Sequence, residues 1–195
     1  MTSDRSVWSD LSSSMETKPA IRQRMRQLLR EASAEENTAL IASLKQQAAS
    51  WPVAQTVALY GGLRGEPDLI GGFLPWLRQQ GHHAALFAIE DENLLPRLIH
   101  SEADLLRSSL GAWEPLETCP RIEIAALDVI LVPGLAFSPK HLTRLGRGGG
   151  YYDRLLAHPQ CKARRIALAH AFQLVEELPT EPHDQKVHQI ISLPS

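Results

Sequence analysis

The stretch Asp128–Arg154, DVILVPGLAFSPKHLTRLGRGGGYYDR, decides how this chain folds. Val129-Ile-Leu-Val132 is a continuous apolar run, the pattern of a parallel strand buried on both faces. A turn at Val132-Pro-Gly-Leu135 follows. Arg144-Leu-Gly-Arg-Gly-Gly-Gly-Tyr-Tyr-Asp-Arg154 then leads into a helix through Leu155 and Leu156. Gly146, Gly148, Gly149 and Gly150 let the backbone take positive φ and approach a ligand without a Cβ in the way. Successive N–H groups in such a turn form a concave anion nest, and a following helix N-terminus adds its positive end. Arg144 and Arg147 bring further donors for phosphate. Asp153 places a carboxylate where a hard divalent cation can bridge phosphates. The bland alternative is a flexible surface loop. Two arginines, an aromatic pair and an aspartate around the glycines favour a nucleotide or phosphate loop instead. It is neither GxxxxGK[ST] nor a full GxGxxG, whose third glycine would fall at Tyr151.

Outward from this loop, strand-like and helix-like segments alternate. Candidate strands are Thr56–Tyr60, His83–Ala88, Leu95–Ile99, Arg165–Ala169 and Val187–Ile191. A helix-like stretch lies around Phe73, Leu74 and Leu77. Near the N-terminus, Thr17 and Pro19 suit a helix start, with Ile21, Met25, Leu28 and Leu29 on one face. Lys18, Arg22, Arg26 and Arg30 fall four apart and form a basic stripe, which an ordinary solvated helix face would equally explain. Ser33-Ala-Glu-Glu36 is a capping box opening a second helix. This alternation predicts an α/β fold with a central, largely parallel sheet. Residues 1–16 hold six serines and read as a flexible lead-in to a single domain over 17–195.

Composition bounds the function. The chain has 195 residues, of which 44% are hydrophobic and 22% charged, so it can bury a real core and is neither disordered nor collagenous. Lys and Arg number 20 against 22 Asp and Glu, which gives no electrostatic case for a nucleic-acid partner. Cys119 and Cys161 are too few for a disulfide framework and sit in no metal-binding spacing. No secretory or transit signal and no span long enough for a bilayer is visible, so a cytoplasmic protein without a membrane partner is expected. A monomer is expected.

The run VPGLAF followed by RLGRGGGYYDRLLA closely resembles the signature of the 5-formyltetrahydrofolate cyclo-ligase (methenyltetrahydrofolate synthetase) family. Other pieces fall in that family's order. Lys18-Pro-Ala-Ile-Arg22 looks like its N-terminal Lys-x-x-x-Arg, and Tyr60 through Leu63-Arg-Gly-Glu66 like its glutamate-bearing loop. Gly111-Ala-Trp-Glu-Pro115 and the closing His183-Asp-Gln-Lys-Val187 are similar too. The resemblance spans roughly residues 17–192.

The resemblance implies a three-layer α/β/α fold of the ribose-5-phosphate isomerase/CoA-transferase type. It implies ATP- and Mg²⁺-dependent closure of 5-formyltetrahydrofolate to 5,10-methenyltetrahydrofolate, with release of ADP and phosphate. Lys18 and Arg22 would hold ATP phosphates with the loop Arg144, Leu145, Gly146, Arg147, Gly148, Gly149, Gly150, Tyr151 and Tyr152. The segment Arg147–Tyr151 would also face the reduced folate, with Arg147 and Tyr151 in catalytic roles. Asp153 and Asp184 would serve magnesium, and Glu66 would bind the pterin end. On their residues alone, Glu66 reads equally as a loop acid and Asp184 as a turn cap. One of the adjacent tyrosines is expected in the core. Departures from the family pattern (Pro67 after Glu66, Ala88, and Leu95–His100) cluster on the expected folate side. They leave open a diverged relative that keeps Mg-ATP but acts on another substrate, or a non-catalytic folate- or nucleotide-binding protein.

Overall fold

A computed structural model describes residues 16–193; of the serine-rich lead-in, all but Glu16 lies outside them. Six strands form the central sheet: β1 (Thr56–Leu59), β2 (His83–Glu90), β3 (Asn93–Ile99), β6 (Val129–Leu131), β9 (Arg164–Ala169) and β10 (Gln189–Ser192). Their order across the sheet is β10-β9-β6-β1-β2-β3, and every pairing is parallel except β2 with β3. The sheet is therefore mostly parallel with one antiparallel edge strand, a common device in α/β proteins.

Side chains alternate across this sheet and divide the core in two. Val57, Leu59, Leu86, Leu131 and Ile166 face helices α2 (Ala34–Ala48), α3 (Leu69–Gly72) and α4 (Leu74–Gln79). Ala58, Phe87, Ile130, Val132 and Ala167 face helix α5 (Tyr151–Ala157), through Leu155 and Leu156. The result is helices on both faces of the sheet. Helix α1 (Lys18–Glu31) buries Ile21, Met25 and Leu29 in a third cluster, against Leu135, Leu145 and Leu178. Each such side chain contributes roughly 1.5–3 kcal/mol of transfer free energy. Leu28 is only partly buried there.

The helix starts follow the sequence signals unequally. At α2 the capping box is complete: Ser33 Oγ accepts from the Glu36 N–H at 3.0 Å and Glu36 accepts from the Ser33 N–H at 3.3 Å. At α1, Thr17 occupies the cap position without a side-chain bond, and the nearby Pro19 defines the first turn.

Three elements lie beyond the sequence reading. β2 and β3 form a hairpin through Asp91 and Glu92, both at positive φ (46° and 65°). Two short antiparallel ladders join β4 (Leu105–Arg107) to β5 (Trp113–Pro115), and β7 (Ala136–Ser138) to β8 (Thr143–Leu145). β10 begins two residues later than expected, because Val187 donates its N–H to the Leu142 carbonyl and lies outside the ladder. No helix among the described residues is long and apolar enough to cross a membrane.

Candidate active site

The neighbouring strands β1 and β6 send the chain in opposite directions, β1 on to β2 and β6 on to β9. Such a switch point leaves a crevice beyond the carboxyl ends of the strands, where α/β proteins bind ligands. Here that crevice is a cavity of about 350 Å³, floored by Tyr60–Leu63 after β1 and by Pro133 and Gly134 after β6. Lys18, Arg22, Glu66, the whole run Arg144–Asp153 and Asp184 all line it. Residues 166 positions apart in sequence thus share one space.

The glycine-rich loop turns tightly between β8 and α5. Gly148 and Gly150 have φ of 111° and 68°, and Gly150 is the left-handed N-cap of α5. Gly149 needs glycine for a different reason: its φ is not positive, but a Cβ there would lie 2.7 Å from the Tyr151 ring. Helix α1 braces this loop from outside. Arg22 Nε donates to the Gly146 carbonyl at 3.0 Å, and Arg26 donates to the Arg147 carbonyl at 3.2 Å. Two members of the basic stripe, Arg22 and Arg26, are therefore turned toward the loop, and Lys18 toward residues 181–184.

Arg144 is buried and reaches inward. It donates to the Pro133 carbonyl at 3.2 Å and to Asp153 Oδ1 at 2.8 Å. Asp153 Oδ1 also accepts the Gln185 N–H at 3.0 Å, which ties the C-terminal strap to the loop. Arg144 so positions Asp153 rather than projecting freely. Arg147 points into the cavity and pairs with Glu66, whose side chain is only 7% exposed, at 2.5 Å. The second Glu66 oxygen accepts the Leu63 N–H at 2.8 Å.

Glu66 is placed by its neighbour. Gly65 has φ of 87°, and a Cβ there would stand 1.7 Å from the Leu29 carbonyl oxygen of α1. Its own carbonyl accepts from His170 Nε2 at 3.2 Å. Only glycine lets the loop pass this close to the helix.

Across the cavity, Lys18 Nζ binds Asp184 at 2.7 Å and Glu181 at 2.9 Å. Partial burial alone would lower the Lys18 pKa; the two carboxylates outweigh it and leave the pKa raised. Burial likewise opposes ionisation of Asp184, but Lys18 and the Glu181 N–H hold its pKa low. Glu181, His183 and Asp184 can bring donor atoms within 4.8 Å of one another. Asp153 stands outside that group of three. Asp153 and Asp184 each keep one carboxylate oxygen clear of hydrogen bonds among the described residues. Those free oxygens are the hard donors that Mg²⁺ takes in ones and twos beside phosphate and water, so the residues present fit such an ion.

The two tyrosines differ only in degree: both are half-buried, Tyr151 against one half of the core and Tyr152 against both halves. Tyr152 packs against both halves of the core and meets Phe87 edge-on at 5.9 Å, and burial pushes its hydroxyl pKa up. Tyr151 lies over Gly149, beneath the Arg154 guanidinium at 4.9 Å.

A model of the 5-formyltetrahydrofolate cyclo-ligase family matches residues 14–193. The chain belongs to that family. Among relatives, an Escherichia coli 5-formyltetrahydrofolate cyclo-ligase is 33% identical over 145 residues, 72% of this chain and 79% of that protein. One from Mycolicibacterium smegmatis is 41% identical over 87 residues, only 45% of this chain and 42% of that protein. The NMR structure of an Aquifex aeolicus 5,10-methenyltetrahydrofolate synthetase superposes with a TM-score of 0.73 at 28% identity, covering 90% of this chain and 89% of that one.

This cyclo-ligase family member also lines its cavity with side chains that sequence inspection did not assign. Phe87 and Leu94 come from the β2–β3 hairpin, Trp113 from β5, and Tyr60 from the end of β1. Burial beside Glu66 and Tyr152 raises the Tyr60 hydroxyl pKa. No spacing in the sequence marks an apolar side chain that packs in the core and also faces a cavity. Arg26 carried a visible signal, its place in the basic stripe.

Proposed function

We propose that this chain closes the ring of 5-formyltetrahydrofolate to give 5,10-methenyltetrahydrofolate, using Mg-ATP and releasing ADP and phosphate. One observation carries the reading: the phosphate-type loop and the buried Glu66 carboxylate meet in a single cavity, joined by the Glu66–Arg147 pair. A site that brings a phosphoryl donor against a folate needs both.

A formamide oxygen is a poor leaving group. In the proposed reaction the formyl oxygen bonds to the γ-phosphorus as the bond to ADP breaks. The 10-nitrogen then attacks the formyl carbon, the carbon–oxygen bond breaks, phosphate leaves, and the nitrogen gives up its proton. ATP supplies the phosphoryl group and Mg²⁺ neutralises part of its charge. Such transfer asks chiefly for positioning and electrostatic stabilisation, without a protein nucleophile.

The chain's residues divide that work. Lys18, Arg22 and the loop from Arg144 to Tyr152 hold the phosphates. Asp153 and Asp184 would hold the metal, with Arg144 aiming the first carboxylate and Lys18 the second. Glu66 accepts hydrogen bonds from the amino and ring N–H groups of the pterin. Those donors replace Arg147 on the carboxylate, which turns the guanidinium toward the phosphoryl group. Tyr151 faces the same space at the helix start.

The test is direct: incubate the protein with 5-formyltetrahydrofolate and Mg-ATP and follow the methenyl chromophore. Product formed in step with ADP supports the assignment. Mg-ATP binding with no methenyl product across a wide folate range would overturn it. The hairpin wall of Phe87, Ile89 and Leu94 lies where the sequence departs from the family pattern, and it favours a relative with another substrate as the second reading.

A further inference from the structure

Arg154 is exposed and does not line the cavity, yet each of its guanidinium nitrogens is engaged. Nε and one Nη donate to the Glu92 carbonyl at 3.1 and 2.6 Å, and the other Nη donates to the Gly149 carbonyl at 3.1 Å. Its carbon lies 4.9 Å above the Tyr151 ring. The guanidinium sits so close over the loop that a Cβ on Gly150 would come within 2.9 Å of it.

These contacts fasten the tip of one cavity wall to the glycine-rich loop of the other, beyond the Phe87–Tyr152 packing that joins the two walls at their base. Glu92 is the second turn residue of the β2–β3 hairpin, whose strands supply Phe87, Ile89 and Leu94 to one side of the cavity. Gly149 and Tyr151 belong to the glycine-rich loop on the other side. The tip residues Asp91 and Glu92 both adopt left-handed φ, a conformation uncommon for such side chains, and the Glu92 carbonyl meets the arginine there. A surface arginine ordinarily solvates its planar fork; here the fork matches two carbonyls on two different elements.

We propose that Arg154 is a positioning residue, a clasp that fixes the glycine-rich loop and Tyr151 to the hairpin tip so that both walls hold one geometry. The idea rests on the site reading above but not on the identity of the substrate. Arg154 touches neither phosphate nor folate in this scheme. It acts through Gly149 and Tyr151. A lysine has one ammonium in place of the fork and cannot serve both carbonyls while covering the ring. Charge alone therefore does not replace it.

Arg154→Ala and Arg154→Lys in the full chain test this, with melting temperature, amide hydrogen exchange and steady-state kinetics as readouts. Loss of an exposed side chain should move the melting temperature by no more than about 3 °C. The amide at position 154, whose N–H is bonded to the Gly150 carbonyl at 3.0 Å, should exchange faster in both variants while those of β1 and β6 do not change. Turnover should fall by roughly 10–100-fold, the scale set by ångström-level misplacement of reacting groups, with a smaller change in KM. Unchanged exchange of the position-154 amide overturns the clasp whatever the kinetics. So does full rescue by lysine, which would make the role one of charge, or a melting temperature lowered by more than about 10 °C in both variants, which would make it one of stability. A wild-type protein that makes no methenyl product would defeat the functional reading alone, and the exchange experiment would still decide the clasp.

Discussion

Gly65→Ala should be the most informative small change in the molecule. Two physical terms act there. The φ of 87° costs an L-residue about 1–2 kcal/mol relative to glycine. In addition, the new methyl would lie 1.7 Å from the Leu29 carbonyl oxygen, 2.5 Å from its carbon and 3.2 Å from its Cα. All three are backbone atoms, so no rotamer change relieves them, and either α1 or the 61–66 loop must move. Overpacking of this kind adds about 1–3 kcal/mol. The two together come to roughly 3 kcal/mol, or a melting temperature lower by about 6–12 °C for a chain of this size.

The molecule contains its own control. Gly81 has nearly the same φ, 80°, but a Cβ there meets nothing within 4 Å. Gly81→Ala therefore carries the conformational term alone, about 1–2 kcal/mol. Thermal unfolding of the two variants side by side separates the terms. Gly65→Ala should melt well below Gly81→Ala, and it should also raise the KM for folate, because Glu66 is the next residue and α1 carries Lys18 and Arg22. Equal melting temperatures would refute the close passage of the loop against α1, and with it the account of how Glu66 is held.

Three further outcomes are expected. Glu66→Gln should weaken folate binding by roughly 10²-fold or more while Mg-ATP affinity stays near wild type, since a site built on charged hydrogen bonds discriminates strongly; calorimetric titration of each ligand checks it. Asp153→Asn should lower turnover by on the order of 10²-fold, and chelation of divalent ions should abolish turnover in the wild type; residual activity in excess EDTA would remove the metal from the site. Burial is the leading reason that the folded-state pKa values of His82, His170 and His188 lie below the ordinary histidine value. The unfolded chain therefore takes up protons first as the pH falls, so this contribution to stability is complete above about pH 6.5 and is lost below it. Melting temperature should drop between pH 8 and 5.5, and His170→Asn should flatten that drop; a rise on acidification would contradict the sign.

How much of this was legible in the sequence depended on whether a feature is local. The glycine-rich loop announced itself because its residue types and its conformation share a cause: positive φ at Gly148 and Gly150 needs glycine, and an anion nest needs bare N–H groups. The capping box of Ser33 and Glu36 was visible for the same reason. The β2–β3 hairpin was not, because its turn is Asp91-Glu92 instead of the Asn-Gly or Asp-Gly that marks two positive φ values. The ladders β4–β5 and β7–β8 are three residues a side, too short for an alternating pattern to register. β10 was displaced by a tertiary bond, from the Val187 N–H to the Leu142 carbonyl, which no window of sequence contains.

The candidate site divides along the same line, and its non-local half explains why the fold matters to the chemistry. Lys18, Glu66 and Asp184 each have a bland local reading, and nothing in their neighbourhoods links them. The link is the reversal of strand order between β1 and β6, which opens one crevice to the loops of both strands. α1 docks beside that crevice through Ile21, Met25 and Leu29, and this apolar contact sets the position of the lysine and arginines on its other face. The strap at 181–185 is drawn in by Lys18 on one side and by Asp153 on the other, through Asp184 and the Gln185 N–H. Burial of apolar surface thus places the charges, and the charges then close the site by pairing with one another: Lys18 with Asp184, Arg144 with Asp153, Arg147 with Glu66. A cavity holding this many opposite charges at short range is arranged to exchange partners. Phosphates can take over from the carboxylates on Lys18 and Arg147, a cation from the Lys18 ammonium on Asp184, and the N–H donors of a pterin from the Arg147 guanidinium on Glu66.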